Sequence, residues 1–412
     1  MSIKYVDIII IGTGMAGLYS AYNIKKTSPN TSFLLLEKYK KDWIGGRTSN
    51  EMFHGTEIVT GAGIGRKGKD KILYKLLNNL NFHISEFSVE PQYSNLINHI
   101  DITKIIKLLK RELKKSTDKN LTFKQFATNI LGEKEYKIFL VSAGYTDYEN
   151  EDVFETLYNY GMDDNSCCWK AFHVPWHKMV LKLYHYIGEK HFKFSNNVVS
   201  IDKVSEQPCR FKINIENGTQ YLCNKVIVAS TIDTIRKLLP MPIYNDIEGQ
   251  PFLRLYAKFS KKSIPIMKEY VKGYTIVPGP LQKIIPMDPD NGVYMIAYSD
   301  NNNALTLKNH LKNTTDNREL YEMLLERSLG IPDNSLNITA LKDYYWPIGT
   351  HYYKPLNKEL YKTREEFIHK VQNPEKGILV VGEAVSRNQG WTEGALESVK
   401  AVLTKKWIET SC

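Results

Sequence analysis

The sequence predicts an α/β protein of more than one lobe, and three observations carry that reading. An apolar, β-branched run, Val6 to Ile11, passes directly into Gly12-Thr13-Gly14-Met15-Ala16-Gly17. A second apolar run, Ser32 to Leu36, follows after one helix length and ends in Glu37. From His191 onward the hydrophobic pattern shifts from a helical period to a period of two. A strand–helix–strand unit at the start and alternating strands later describe a Rossmann-type nucleotide-binding domain, discontinuous in sequence. Beside it comes a second α+β domain built on an antiparallel sheet plus a helical insert.

The Val6–Ile11 run is far too short to cross a membrane and reads as a buried parallel strand. Gly12 allows the tight turn out of it, Gly14 lets backbone approach a pyrophosphate, and Gly17 lets the next helix sit close on the sheet. That helix, Leu18 to about Lys26, presents an N-terminus to phosphate, with Met15 and Ala16 inside the turn. Glu37 lies 37 − 17 = 20 residues past Gly17, where a carboxylate accepts from ribose hydroxyls; Lys38 follows it. A strand–helix–strand unit without a ligand is the bland alternative.

A chain of 412 residues has ample length for two or three lobes. The net charge is 55 − 45 = +10, yet no dense basic block appears, so a solvated lysine surface accounts for it better than nucleic-acid binding. None of the five cysteines, Cys167, Cys168, Cys209, Cys223 and Cys412, forms a CxxC pair, which fits a reducing compartment. The first strand begins within a few residues of Met1, leaving no room for a signal peptide, and no apolar stretch approaches transmembrane length. A cytoplasmic location is expected. His173, His177, His185 and His351 show no metal spacing, and no GxSxG elbow is present, so metalloenzyme and hydrolase readings fall away.

Further along, Gly45-Gly46-Arg47 joins a flexible loop to a guanidinium suited to phosphate. Gly61-Ala62-Gly63-Ile64-Gly65-Arg66 is a small-residue loop suited to passing close over a flat ring. With GxGxxG and the acid 20 residues on, this order of motifs resembles the flavin-containing amine oxidase superfamily, which includes monoamine, polyamine and L-amino-acid oxidases. The resemblance implies FAD, with its ADP half held by Gly12, Gly14, Gly17 and Glu37. It further implies that Gly46 and Arg47 contact the cofactor and that Gly61 and Ala62, with Gly63, lie by the isoalloxazine.

Residues 70 to 190 read as mostly helical, with Tyr145 to Trp176 irregular and aromatic-rich; the resemblance makes this insert a wall of the substrate cavity. The basic amphipathic stretch Ile105 to Lys115 reads as a solvated helix with a packed apolar face. Strands are expected at His191–Phe194, Val198–Val204, Phe211–Ile215, Gln220–Leu222 and Lys225–Ser230, with a turn at Asn217-Gly218. Further strands are expected at Phe252–Phe259, Val293–Ser299 and Ile338–Trp346, with Asn301–Asn303 as a loop. By resemblance, Val198 or Val199 offers a backbone contact to adenine; Val199 is preferred.

At the C-terminal end, Gly377–Val381 reads as a buried strand leading into Gly382-Glu383. Gly390-Trp391-Thr392-Glu393-Gly394-Ala395 then opens a helix running to about Ile408. This is similar to the family's late motif, which places Gly382 and Glu383 by pyrophosphate and ribityl groups and aims the helix start, Trp391, Thr392 and Ala395, at the flavin. The expected domains are 1–75, 191–240 and 370–412 for FAD, and 76–190 with 241–369 for substrate.

The resemblance also implies the chemistry: oxidation of the C–N bond of an amine, polyamine or amino acid, with O2 as acceptor. Trp391 is one expected aromatic wall of the cavity and Tyr352 the other, with Trp346 as its competitor. Many relatives hold a lysine near flavin N5 on the first strand after the FAD domain. Here that strand reads Phe252 to Lys258, so Lys258 is expected in the role and Arg254 is the alternative. By the same resemblance, Arg66, near but offset from the position of an arginine that pairs with a substrate carboxylate, is the candidate for that role, with a surface arginine beside Lys67 and Lys69 as the alternative. No cysteine lies in Trp346–Pro355, so FAD is expected to be non-covalent. A dehydrogenase or desaturase acting on a non-amine, a catalytically idle FAD-binding scaffold, and a homo-oligomer all remain open.

Overall fold

A computed structural model describes residues 4–117, 120–162, 169–204 and 210–410. Strand β1 (Lys4–Ile11) leads into helix α1 (Met15–Thr27) and strand β2 (Phe33–Leu36). β1 pairs in parallel with β2 on one side and with the strand Gln220–Val228 on the other. The remaining strands of this sheet are Phe192–Lys193 beside β2, Ile378–Val380 beside Gln220–Val228, and an antiparallel pair, Val198–Lys203 and Phe211–Ile215, at the far edge. The apolar runs are continuous because both faces are covered. Ile8, Ile10 and Leu35 pack toward α1 and the helix Trp176–Ile187, while Ile9, Ile11 and Leu36 pack toward the helices Ile232–Leu238 and Arg364–Gln372.

A second, six-stranded sheet runs in the order Ile338–Tyr353, Ile247–Phe259, Val293–Asp300, Lys283–Asp288, Thr275–Ile276 and Gln92–Tyr93. It is antiparallel except for the last pair. The insert packs its helices Ile102–Lys115, Phe123–Leu131, Glu133–Ala143 and Val153–Tyr158 around their own core of Leu109, Phe123, Phe139 and Tyr148. In the first of these helices Ile102, Ile106, Leu109 and Leu113 are buried and the lysines lie outside, as the amphipathic pattern implies.

Several expectations are corrected. Gln220–Leu222 and Lys225–Ser230 are one strand, because Asn224 continues the pairing register with β1 and its neighbours. The region 70–190 is not helical throughout: Trp169–His173 pairs with Ile64–Arg66 on one side and with Glu86–Val89 on the other, in a three-stranded sheet. Asn301–Asn303 opens the helix Asn301–Leu307. The last helix ends at Val402, and a separate turn of helix, Lys405–Glu409, follows. Cys223 is buried in the Rossmann sheet, whereas Cys167, Cys168, Cys209 and Cys412 lie outside the described residues. Among the described residues no helix is long and apolar enough to cross a membrane.

Candidate functional site

The site starts at the end of β1. Gly12 has φ +105°, and a Cβ there would lie 2.3 Å from the Ala229 carbonyl oxygen. A Cβ on Gly17 would lie 2.1 Å from the Gly12 carbonyl oxygen, so α1 packs against its own entry turn. Gly14 is different: nothing lies within 4 Å of the position a Cβ would take. It caps α1 without a side-chain hydrogen bond, so the first-turn amides of Met15, Ala16 and Gly17 have no intrahelical acceptor. Glu37 is anchored from within, as its Oε2 accepts from the Thr13 amide (2.9 Å) and hydroxyl (2.7 Å), and its Oε1 from the Tyr39 amide (3.0 Å). Oε1 retains a lone pair for another donor. The backbone oxygen of Glu37 accepts from the Asn196 amide (2.7 Å), which brings the start of the Val198–Lys203 strand, including Val199, toward this edge. Lys38 is exposed beside Tyr39.

The next three motifs close on this turn. Gly45 bridges Gly14, and its amide donates to the Thr13 carbonyl (2.9 Å). A Cβ on Gly46 would stand 3.6 Å from the Gly14 Cα. The Arg47 carbonyl accepts from the Ala62 amide (2.8 Å), and a Cβ on Gly61 would lie 2.1 Å from that same oxygen. The Arg47 guanidinium reaches the Gly349 carbonyl (2.5 Å) and the Glu383 carboxylate (3.3 Å). Glu383 also accepts from the His351 amide (2.9 Å), His351 Nδ1 (2.7 Å) and the Gly390 amide (2.8 Å). The Ile232 amide donates to His351 Nε2 (3.2 Å), which leaves the ring proton on Nδ1, facing Glu383. Burial pulls the Glu383 carboxyl upward, but His351, Arg47 and the donated hydrogen bonds outweigh it and hold the pKa at about 2. Gly382 donates its amide to Ser398 Oγ (2.8 Å), on the same helix as Thr392 and Ala395.

The Gly-Ala loop is held by four side chains that each donate to a carbonyl: Tyr256 to Val59 (2.6 Å), Trp346 to Thr60 (2.8 Å), Arg254 to Gly61 (2.6 Å) and Trp176 to Gly63 (3.2 Å). Two pairing strands supply three of them, and the Trp176–Ile187 helix supplies the fourth. The Arg254 guanidinium also lies 4.1 Å over the Tyr298 ring.

The NAD(P)-binding Rossmann-like domain family matches residues 10–80 of the chain. Wild-type putrescine oxidase bound to putrescine superposes with a TM-score of 0.73 at 13% identity, covering 98% of this chain and 100% of that one. The chain has the putrescine oxidase fold. A double mutant and a triple mutant from a redesign of cofactor binding in putrescine oxidase superpose with TM-scores of 0.73 and 0.72 over 98% of this chain. An uncharacterized protein of Acanthamoeba polyphaga mimivirus is 38% identical over 58 residues, which are 14% of this chain and 11% of that protein.

Within the putrescine oxidase fold the proposed catalytic residues stand as follows. Lys258 is engaged elsewhere: its Nζ donates to the Asn291 side chain (2.7 Å) and backbone carbonyl. It sits four positions along the strand from Arg254, the residue that reaches the Gly-Ala loop. Arg66 does not offer a free guanidinium, because it forms a buried pair with Asp70 through Nε (3.0 Å) and Nη2 (2.7 Å). Its Cζ lies 3.8 Å from the centroid of Trp391. That ring is therefore stacked by a cation on one face. Tyr352 is half-buried and lines a small cavity together with Gly390, whereas its competitor Trp346 binds Thr60. Sequence reasoning did not find Tyr256, Trp176, or His351 as the partner of Glu383. Each is an aromatic residue in an aromatic-rich stretch, and only the fold gives its partner.

The residues fit a flavin dinucleotide on the structure's own terms. Gly14 faces open space at a helix N-terminus, Glu37 keeps acceptor capacity at the strand end, and the two chain ends meet at Arg47–Glu383.

Proposed function

We propose that the chain is an FAD-dependent oxidoreductase that oxidises the C–N bond of an amine, polyamine or amino acid, with non-covalent flavin and O2 as electron acceptor. One observation carries the reading: motifs from opposite ends of the chain, Gly45–Arg47 and Gly382–Glu383, close on the Gly12–Gly17 turn through the Arg47–Glu383 pair. The segments 1–75, 191–240 and 370–412 would hold the cofactor, and 76–190 with 241–369 would shape the substrate side. Bound flavin supplies a two-electron acceptor for hydride from the carbon next to nitrogen. The chain's residues bind and orient. Glu37 takes the ribose, and Gly14 with the first turn of α1 takes the pyrophosphate. The Gly61–Gly63 loop, fixed by Arg254, Trp346, Tyr256 and Trp176, would hold the flavin ring. The start of the Thr392–Val402 helix would stabilise negative charge there.

A dehydrogenase using an acceptor other than O2 is the second reading. It is favoured by Arg254 standing at the Gly61 carbonyl, on the strand where a lysine was expected. The experiment is an anaerobic visible spectrum of the purified protein during addition of amines and amino acids. Flavin bands that bleach and return with peroxide on admitting air support the oxidase. Bleaching without reoxidation by air supports the dehydrogenase. Folded protein that neither carries nor takes up FAD refutes both.

A further inference from the structure

A small, partly open chamber, with room for one water-sized group, lies between the insert and the two-domain junction. Asp147, Glu151, Glu155, Gln250 and Gln389 line it, alongside Gly390 and Tyr352. We propose that this chamber binds one ammonium-type monovalent cation, either a free ion or the distal ammonium group of a substrate.

Two amide oxygens of the lining lack donors, while Arg364 Nε and Nη1, behind Glu155, make no hydrogen bond. Gln250 is 4% exposed, and its Nε2 donates to the Asp147 carbonyl (2.6 Å) and to Thr350 Oγ1 (3.2 Å). A carbonyl only accepts, so the amide orientation is fixed and Oε1 is left buried without a partner. Gln389 repeats the pattern, with Nε2 on the Ala384 carbonyl (2.9 Å) and Oε1 without a partner. An amide oxygen buried in this way costs free energy unless a donor reaches it.

The charges around the chamber are unbalanced. On the insert side stand Asp147, Glu151, Asp152 and Glu155, and against them stand two guanidinium groups. Arg364 binds Asp152 (3.1 Å) and Glu155 (3.5 Å), and Arg387 binds Glu155 (3.3 Å) and the exposed Glu365. Tyr160 donates to Asp147 (2.5 Å), and Thr156 donates to Glu151 (2.7 Å). From the sheet behind, Lys283 donates to the Gly144 carbonyl (2.6 Å), and Asp300 is taken by Thr146 and Gln282. Tyr352, Tyr353 and the Glu383-bound His351 complete the wall. Burial raises all three lining carboxyls, Asp147 to about 7 and Glu151 well above the usual range; Asp300 adds to the effect at Asp147. A bound cation favours their charged forms, so its binding releases protons and tightens as pH rises. Among the described residues no three His, Cys, Asp or Glu side chains are spaced to hold a metal ion. Acceptors spread around one water-sized space suit a donor that makes several N–H···O bonds.

The cation reading stands apart from the flavin assignment; only the substrate source of the cation rests on it. The test is thermal unfolding of the full-length protein as purified, at equal ionic strength in ammonium, potassium or tetramethylammonium chloride. A second set compares 1,4-diaminobutane with 1-aminobutane. A ligand held only by the folded state raises the midpoint, here by about 1–2 °C at roughly ten times its dissociation constant. The expected result is a higher midpoint in ammonium or potassium than in tetramethylammonium, larger at pH 8 than at pH 6, and absent in Glu151→Gln and Asp147→Asn. A rise with the diamine and not with the monoamine identifies the distal ammonium as the source. A rise with ammonium alone identifies the free ion. Equal midpoints under all conditions in wild type overturn the proposal, as does a wild-type difference retained in both variants.

Discussion

Glu383→Gln tests whether the Arg47–Glu383–His351 cluster holds the two chain ends together. The substituted side chain would keep one oxygen for the amides of His351 and Gly390. Its NH2 group would then face the Arg47 guanidinium and the His351 Nδ1 proton, so donors would meet donors. Breaking a buried ion pair from one side costs about 3–5 kcal/mol. Arg47 keeps its Gly349 contact and its side chain is 29% exposed, so water offsets part of this, leaving about 2–4 kcal/mol. The titration gives a comparable size. A carboxyl held at about 2 against an ordinary 4.5 is worth about 3 kcal/mol at neutral pH. Because the folded pKa is lowered, that stability is present above the ordinary carboxylate range and fades as pH falls toward 2. Urea unfolding of both proteins without added FAD, at pH 7 and again near pH 3, measures it. The variant should lose about 2–4 kcal/mol at pH 7 and show a smaller further loss on acidification than wild type. A variant within about 1 kcal/mol of wild type at pH 7 would refute the reasoning, because the pair would then contribute no more than a surface contact.

Four further outcomes follow from the geometry. Gly14→Ala should leave unfolding without FAD within about 0.5 kcal/mol of wild type, since nothing meets the new methyl, while weakening FAD binding at least tenfold by fluorescence titration. Gly12→Ala places its Cβ against the Ala229 carbonyl at positive φ and should fail at the folding level, seen as loss of the cooperative transition. Arg66→Ala should cost about 3–5 kcal/mol by denaturation and lower turnover alike for substrates with and without a carboxylate; a loss confined to amino acids would restore the carboxylate role. Lys258→Ala should leave the flavin spectrum and its rate of reduction within about twofold, whereas Arg254→Ala should change both, since of these two cations only Arg254 touches the Gly-Ala loop.

The Rossmann half of the chain was legible because its constraints are local. Gly12, Gly14 and Gly17 are set by one turn, Glu37 by the end of the next strand, and the apolar runs of β1 and β2 by burial on both faces. The short strands of the insert were not legible. Glu86–Val89 and Trp169–His173 are defined only by pairing across about eighty residues or more, and neither shows a long alternating pattern. Asn224 interrupts an apolar run without ending the strand, so one element read as two.

The three candidate catalytic cations were hard to rank from sequence for one physical reason. Lys258 and Arg254 are both cations on one strand, and Arg66 is a cation just past a glycine loop, so residue type alone cannot rank them. What separates them is the partner each has already taken: the Asn291 turn for Lys258, Asp70 and the face of Trp391 for Arg66, and the Gly61 carbonyl for Arg254. The same logic applies to the loop. Its small residues are readable as permission for a close approach, but small residues also make a loop floppy. The rigidity a cofactor plane needs comes from Tyr256, Trp346, Arg254 and Trp176, each holding one carbonyl from a distant part of the chain. Permission for the site is therefore written locally in glycine, while its order is written in the contacts of the second sheet and one helix. Changes to those four side chains should loosen flavin binding even though none of them belongs to a nucleotide-binding motif.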